Sequence, residues 1–327
     1  MSSAAPPVLG LDIGGTKLAV AVLTEDGTTS AFTVEPTDKD RGPADVIDRL
    51  FAMGHRAVEQ AGLGPIGAVG ISCGGPLDAS TGVLTGPLHL PGWVDIPIVR
   101  MAEQAFGVPA ALENDATLGA LAEHRYGAAV GARTMIYLTV STGIGGGAVV
   151  EGRLHRGAAG NGGEFGHVLV RSGGRVCLCG RRGCLEAYAS GSSIAVRAAE
   201  AVADRGAGSS LARIAEPRAE DVIAAAQAGD RLAGELWAET IDVLASALTD
   251  LVNVFEPEVV VLGGGVTRSG DALLLPIRAR VARDAMPPAA AAARIELAGL
   301  GDEVCAVGAG AIALDLLDAR SKETAHA

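Results

Sequence analysis

The chain has 327 residues, of which 49% are apolar and only 3% are aromatic. This length suffices for two domains, whose cores must be built mainly from Val, Leu, Ile and Ala. The net charge of −12 and the pI of about 5.0 argue against binding to nucleic-acid backbones or to anionic membrane surfaces. The first seven residues lack a basic region and a long apolar run, and no apolar stretch could span a bilayer, so we expect a cytoplasmic protein.

Two apolar runs near the N-terminus, Val8–Leu11 and Leu18–Leu23, predict strands on either side of a glycine turn, DIGGTK. Backbone N–H groups at such glycines suit a phosphate, with Lys17 as counter-charge and Asp12 able to hold hydrated magnesium. A Walker A loop is excluded because its spacing is absent and a strand follows where a helix should. A plain hairpin turn is the structural alternative.

The next segments predict a helix over Pro43–Gly62 and a strand over Ile66–Ser72. The strand leads into CGGPLD, a loop whose glycines and proline would let the backbone approach a ligand. A loop rich in Pro and Gly follows at 85–97 and contains Trp93. This ring is expected either to lean on a sugar face or to cap the core.

A third strand is predicted over Val108–Leu112, followed by Glu113-Asn114-Asp115 and a helical pattern. Asn114 or Asp115 could be the N-cap of this helix, which is the commoner role for such residues. An adjacent amide and carboxylate at a strand end could also bind hydroxyls and supply a general base.

Strand, glycine turn and strand recur from Met135 to Val150, where we expect the turn to run over Ser141–Gly147. The repetition predicts an internally duplicated fold in which each half offers a phosphate loop. The segment also fits a dinucleotide fingerprint, but that motif should open a helix and here Ala148–Val150 predicts a strand.

Four potential metal ligands lie close together in the sequence: His167, Cys177, Cys179 and Cys184. A Cys₃His set with all four positions filled by protein predicts a structural zinc site. The alternatives are a disulfide or buried cysteines near a chance histidine. The remaining cysteines, Cys73 and Cys305, are expected to be free thiols.

The C-terminal half is predicted to be mostly helical, with one buried strand at Val259–Leu262 leading to Gly263–Gly265, where we expect a nucleotide ring or close packing. The predicted helical segments are Ser192–Asp204, Ala219–Gln227, Glu235–Phe255, Asp271–Ala285 and Ala306–Leu317. Residues 286–293 predict a loop or a broken helix, and Ala319–Ala327 a frayed polar tail.

The motifs DIGGTK, GGPLD, LPGW, END, STGIGGG, GEFGH and CLCGRRGCLE occur in one order along nearly the whole chain. Together they closely resemble the ROK family of sugar kinases, within the actin-like sugar kinase superfamily. The resemblance implies an α/β fold of two actin-like (ribonuclease H-like) domains around a hinge cleft, with a structural zinc knuckle in the larger domain. It assigns residues 1–117 plus 311–327 to a small domain and 118–310 to a large one.

The same resemblance implies ATP, magnesium and structural zinc, with Asp115 as the catalytic base. The implied sugar ligands are Gly75, Asn114, Asp115, Glu164, His167 and Glu186. The implied nucleotide ligands are Asp12, Gly14, Gly15, Thr16, Lys17, Thr142 and Gly143 at the phosphates, and Gly264 and Gly265 near the adenosine. The implied zinc ligands are His167, Cys177, Cys179 and Cys184. The sequence departs from the family at His89, where many members have asparagine, and at Cys73-Gly74, where a Pro-Gly run is more usual.

The function implied is ATP-dependent phosphorylation of the 6-hydroxyl of a hexose, with glucose the first choice. N-acetylmannosamine, N-acetylglucosamine, mannose, fructose and allose are alternatives, and polyphosphate is an alternative donor. A homodimer or homotetramer is expected. A non-catalytic sugar sensor would need a DNA- or partner-binding module, but only seven residues precede Val8, and a dinucleotide oxidoreductase would need a helix after Gly147.

Overall fold

The computed structural model describes residues 5–158 and 160–325, which form two compact units. The first unit comprises the described residues within Met1–Gly127, Arg156–Gly162 and Leu300–Ala327. The second comprises Ala128–His155 and Gly163–Gly299. Within the described residues, no helix is both long and apolar enough to cross a membrane.

A five-stranded sheet in the order β3-β2-β1-β4-β7 forms the centre of the first unit. β1 pairs antiparallel with β2 and parallel with β4, and β4 pairs parallel with β7. The strands of this unit, with a small hairpin β5–β6, are β1 Val8–Ile13, β2 Lys17–Leu23, β3 Thr29–Pro36, β4 Ala68–Cys73, β5 Leu77–Asp78, β6 Val83–Leu84 and β7 Ala110–Asn114.

The helices of this unit before residue 128 are α1 Pro43–Ala61, α2 Ile98–Phe106 and α3 Asp115–Tyr126. The apolar face of α1 was predicted correctly, and it packs into the same core as the strands. Trp93 is 1% exposed and belongs to that core, so of its two expected roles the structure favours packing. Strand β3 and helix α2 were not predicted.

The second unit contains a sheet with the same strand order, β10-β9-β8-β11-β12. Its strands are β8 Met135–Val140, β9 Ile144–Val150, β10 Arg153–Leu154, β11 Val259–Gly263 and β12 Arg294–Leu297. The match confirms the predicted duplication, since each sheet joins an antiparallel meander to two parallel strands. The predicted turn over Ser141–Gly147 was too long, because Gly145–Gly147 pair within β9. Gly146 has no room for a side chain beside Phe165.

Six helices pack in the second unit: α4 Glu186–Ala189, α5 Gly191–Arg205, α6 Ala219–Gln227, α7 Arg231–Phe255, α8 Asp271–Asp284 and α9 Pro287–Ala292. Residues 287–292 are therefore helical, with the prolines at the helix start, where they are tolerated. Arg197 of α5 is 4% exposed. It donates to the carbonyls of Tyr188 and Leu236, to Thr240 Oγ1 and to Glu239 Oε2, which ties α4, α5 and α7 together.

The last helix, α10 Val304–Ala325, belongs to the first unit. It crosses β1 and β4 so closely that a Cβ at Gly10 or Gly70 would overlap the carbonyls of Ala306 and Ala309. The prediction of a frayed tail from Ala319 was wrong as far as Ala325, because the helix continues through these residues. Residues 326 and 327 lie outside the described residues.

Candidate active site

Two carboxylates of the first unit, Asp12 in β1 and Asp115 at the start of α3, interact through their charges. Asp12 is 6% exposed and accepts a hydrogen bond from Ser72 Oγ at 2.7 Å. Burial raises the pKa of Asp12 to about 7, the Ser72 hydrogen bond opposes this rise, and the negative charge of Asp115 adds to it. Burial likewise raises the pKa of Asp115. A carboxylate with a raised pKa is a stronger base than one in water.

The turn between β1 and β2 is tightly closed, since Gly14 N donates to Lys17 O at 3.0 Å and Thr37 Oγ1 donates to Gly14 O at 2.6 Å. The N–H of Gly14 is thus engaged within the hairpin. Lys17 Nζ lies 3.2 Å from Asp302 Oδ1, just before α10. Both side chains are substantially exposed, so this ion pair costs little to break when an anion arrives.

Asn114 is the N-cap of α3, as the commoner interpretation predicted: its Oδ1 accepts from Ala116 N and Thr117 N. With the oxygen engaged, the amide nitrogen is the end that remains for a ligand. That nitrogen faces Gly75, whose missing Cβ would lie 4.0 Å from Asn114 Nδ2. Gly75 precedes Pro76 through a cis peptide bond. The strand ends of β4 and β7 thus bring Gly75, Asn114 and Asp115 together.

In the second unit, Glu186 contacts the glycine turn between β8 and β9. Its Oε2 accepts the N–H of Ile144 at 2.9 Å, and a Cβ at Gly143 would lie 2.8 Å from the same oxygen. The carbonyls of Ser141 and Thr142 accept from Gly191 N and Ser192 N at the start of α5. The turn is therefore fixed from two sides.

Gly264 lies beside this turn. It has a φ of +90° and packs against the backbone of Val140, the last residue of β8, so closely that a Cβ at Gly264 would lie 2.7 Å from the Val140 carbonyl carbon. A side chain at Gly265 would begin 3.9 Å from Ser141 Oγ. The turn predicted to bind phosphate and the glycines predicted to lie near the adenosine are thus neighbours within one unit. A short 3₁₀ turn, Gly265–Ser269, lies between β11 and α8.

The four predicted metal ligands converge in the second unit, with one ligand atom from each of His167, Cys177, Cys179 and Cys184 within 4.8 Å of the others. The Cys177 Sγ to His167 Nδ1 distance is 3.6 Å, and the Cys179 Sγ to Cys184 Sγ distance is 3.7 Å. Zinc bonds of about 2.3 Å to sulfur and 2.0 Å to nitrogen put ligand atoms of a tetrahedron roughly 3.5–3.8 Å apart. The thiols are free rather than disulfide-bonded, so the donor set fits zinc.

Glu164 and Glu186, which flank this cluster in the sequence, differ in their contacts and in their exposure. His167 turns Nδ1 toward Cys177, while its Nε2 lies 3.8 Å from Glu164 Oε2. A carboxylate on the far nitrogen of a ligating histidine fixes the ring and its tautomer. Glu164 is exposed, whereas Glu186 is half-buried and its Oε1 lies 3.7 Å from Cys177 Sγ.

The sequence did not predict the residues that contact Asp12, Lys17 and Asp115 in the structure. Ser72 could have been found as a hydroxyl in the otherwise apolar strand AVGISC. Asp302 and Cys305 had no local signal, yet Asp302 pairs with Lys17, and Cys305 Sγ lies 3.8 Å from the carbonyl of Asp115.

Comparison with protein families matches residues 8–316 to the ROK family. A curated glucokinase of Halalkalibacterium halodurans is 34% identical over 316 residues, 92% of this chain and 93% of that protein. A curated N-acetylmannosamine kinase of Escherichia coli O6:K15:H31 is 36% identical over less of the chain, 79%, and 82% of that protein.

Two solved structures are similar over almost their whole length. The ROK hexokinase from Thermus thermophilus has a TM-score of 0.80 and 39% identity, with 95% of this chain and 99% of that chain covered. The ROK family glucokinase from Streptomyces griseus, solved with glucose and AMPPNP, has a TM-score of 0.77 and 31% identity, with 94% and 99% covered.

Proposed function

The chain belongs to the ROK family, and from this premise we propose that it is a glucokinase, which transfers the γ-phosphoryl group of ATP to the 6-hydroxyl of glucose. The curated glucokinase of Halalkalibacterium halodurans, which matches 92% of the chain, supports this function over that of the N-acetylmannosamine kinases, which match less of it. The observation that carries the chemistry is the pair of neighbouring carboxylates, Asp12 and Asp115, in the first unit.

In the proposed reaction Asp115 is the catalytic base. Its carboxylate accepts the proton of the 6-hydroxyl while that oxygen attacks the γ-phosphorus, and the bond from the γ-phosphorus to the bridging oxygen breaks to release ADP. Phosphoryl transfer depends chiefly on positioning and charge neutralisation. The raised pKa of Asp115 favours acceptance of this proton.

The nucleotide is proposed to bind with its phosphates at the two glycine turns and its adenosine at Gly264–Gly265. Asp12 would hold hydrated magnesium, which would supply positive charge to neutralise the phosphates. Lys17 would exchange its exposed partner, Asp302, for a phosphate oxygen. Thr16, Thr142 and Gly143 complete the proposed phosphate ligands.

The proposed sugar ligands are Gly75, Asn114, Asp115, Glu164, His167 and Glu186. The nearness of Gly75 to the Asn114 amide, and of Glu164 to His167, supports this assignment within each unit. The division into two actin-like domains, 1–117 plus 311–327 and 118–310, belongs to the same proposal.

We assign structural zinc to His167, Cys177, Cys179 and Cys184, on the fit of their distances to a tetrahedral ion. Zinc bound there would fix the segment that carries Glu164 and Glu186. The proposal also places the enzyme in the cytoplasm as a homodimer or homotetramer, which sedimentation of the purified protein would test.

The decisive assay measures ADP release with a panel of hexoses and N-acetylhexosamines at fixed ATP, and then with polyphosphate in place of ATP. We expect Asp115→Asn to lower kcat by about 10²–10⁴-fold while glucose binding by calorimetry persists. Asp48→Asn, on the exposed face of α1, is the matched control. A fully active Asp115→Asn enzyme would refute the base assignment, and glucose binding without ADP release from the native protein would favour a sugar sensor.

A further inference from the structure

His89 occupies an unusual place in the loop between β6 and α2. A Cβ at Gly15, in the turn between β1 and β2, would lie 3.1 Å from Cβ and Cδ2 of His89. A Cβ at Gly74, after β4, would overlap Cε1 of the same ring and lie 3.0 Å from its Nδ1. The imidazole therefore fills the space that two glycines leave open.

The two glycines that the ring touches belong to different parts of the candidate site. Gly15 is in the turn assigned to the phosphates, and Gly74 adjoins Gly75 in the loop assigned to the sugar. The backbone reinforces this contact, since Leu88 N donates to Gly75 O at 3.2 Å. His89 is thus a spacer between the two loops, and its own side chain is half-buried.

The ring also acts on Asp115 through its charge. Burial raises the pKa of Asp115, and the protonated imidazole of His89 lowers it. The other ionisable groups near Asp115 do not lower its pKa. Asp12 of β1 is itself a carboxyl group with a raised pKa, and Cys73 of β4 and Cys305 of α10 are thiols whose pKa burial raises well above the ordinary value. The charge of His89 and the hydrogen bond from Ala116 N at 2.8 Å both favour ionised Asp115.

We propose that His89 is a positioning residue of this enzyme: its imidazole spaces the phosphate turn from the sugar loop that adjoins Asn114 and Asp115. The role given to His89 rests on the proposed kinase function. When the ring is charged, it would favour the ionised form of Asp115. An asparagine at this position would supply neither the ring nor the charge.

The electrostatic part is tested by titrating Asp115 itself. The full chain is labelled with ¹³C at the aspartate carboxyl carbons, the Asp115 signal is assigned with Asp115→Asn, and its titration is followed by NMR. We expect the midpoint to move to higher pH in His89→Asn, and to stay near that of the native protein in His89→Lys. Leu88→Asn is the matched control, since Leu88 is the exposed neighbour on the same loop. Coinciding midpoints in the native protein and His89→Asn would overturn the proposal.

The packing part is tested by a double-mutant cycle between positions 74 and 89. Gly74→Ala should lower the melting temperature, and adding His89→Ala should restore part of the loss, because the ring that the new methyl meets is gone. Strictly additive losses would show that the ring does not fill this space. Both tests work without turnover, so a failure of the glucokinase assay and a failure of this inference are distinguishable.

Discussion

Asp12 is the residue whose ionisation should leave the clearest mark on stability. Its carboxyl is buried, and its pKa rises from 3.8 to about 7 on folding. A raised carboxyl pKa means that the folded state binds a proton that the unfolded state has released. The unfolding free energy should therefore fall as the pH rises from 3.8 to about 7. Above that range, the ionisation of Asp12 should no longer change it.

The size of the effect follows from the width of that window. About three pH units at about 1.4 kcal/mol each give a loss on the order of 4 kcal/mol. Asp12→Asn resembles the protonated acid and keeps an acceptor for Ser72 Oγ, so it should not show this loss. The difference in unfolding free energy between Asp12→Asn and the native protein should widen by about 2 kcal/mol between about pH 5 and 7, because Asp12 is already half ionised at about pH 7.

The assay must report on the first unit alone, because two units need not unfold together. The sequence contains two tryptophans, and Trp237→Phe leaves Trp93, a core residue of the first unit, as the fluorescent probe. Urea unfolding of this background, with Asp12→Asn or the control Asp48→Asn, is then measured across the pH window. If the difference in unfolding free energy between Asp12→Asn and the Asp12 protein is the same at every pH, burial does not raise the pKa of Asp12.

Three other predictions concern residues that stabilise the fold around the candidate site. Arg197→Met should lower the unfolding free energy by about 3 kcal/mol or more, measured by urea unfolding, since it leaves several buried acceptors without a donor; an unchanged midpoint would contradict this. Gly70→Ala should be strongly destabilising because its Cβ would overlap the Ala309 carbonyl. Gly234→Ala, with open space around it in the first turn of α7, should raise stability by up to about 1 kcal/mol. Equal melting temperatures for these two variants would be inconsistent with the structure. Cys179→Ser should lower both the zinc content by atomic absorption and the melting temperature; full metal occupancy in the variant would rule out this ligand.

Regular patterns were the most predictable part of the fold. Helix α1 was predicted to within one residue because its apolar positions repeat at helical spacing and glycines flank it. Strand β3 was missed because it is mostly half-exposed and ends in Glu35-Pro36, so it lacks a clear alternation. Helix α2 was missed because only Ile98 and Ala102 are buried on its nine residues.

The candidate site was predictable where its residues are close in sequence. The four metal ligands span only eighteen positions, and the structure brings them together. Contacts such as Lys17 with Asp302, 285 positions apart, depend on the path of the whole chain. The double role of Asn114 shows a further limit: its sequence position predicts both a cap and a ligand, and only the structure shows that the oxygen is used for the cap.

The route of the chain through α10 has a consequence for synthesis. Residues 128–155 and 163–299 of the second unit emerge from the ribosome while the first unit still lacks the helix that lies against β1 and β4. The earliest strands to be translated must therefore wait for nearly the last residues before their sheet is covered. Premature termination anywhere before α10 would leave that sheet exposed, however well the middle of the protein had already folded.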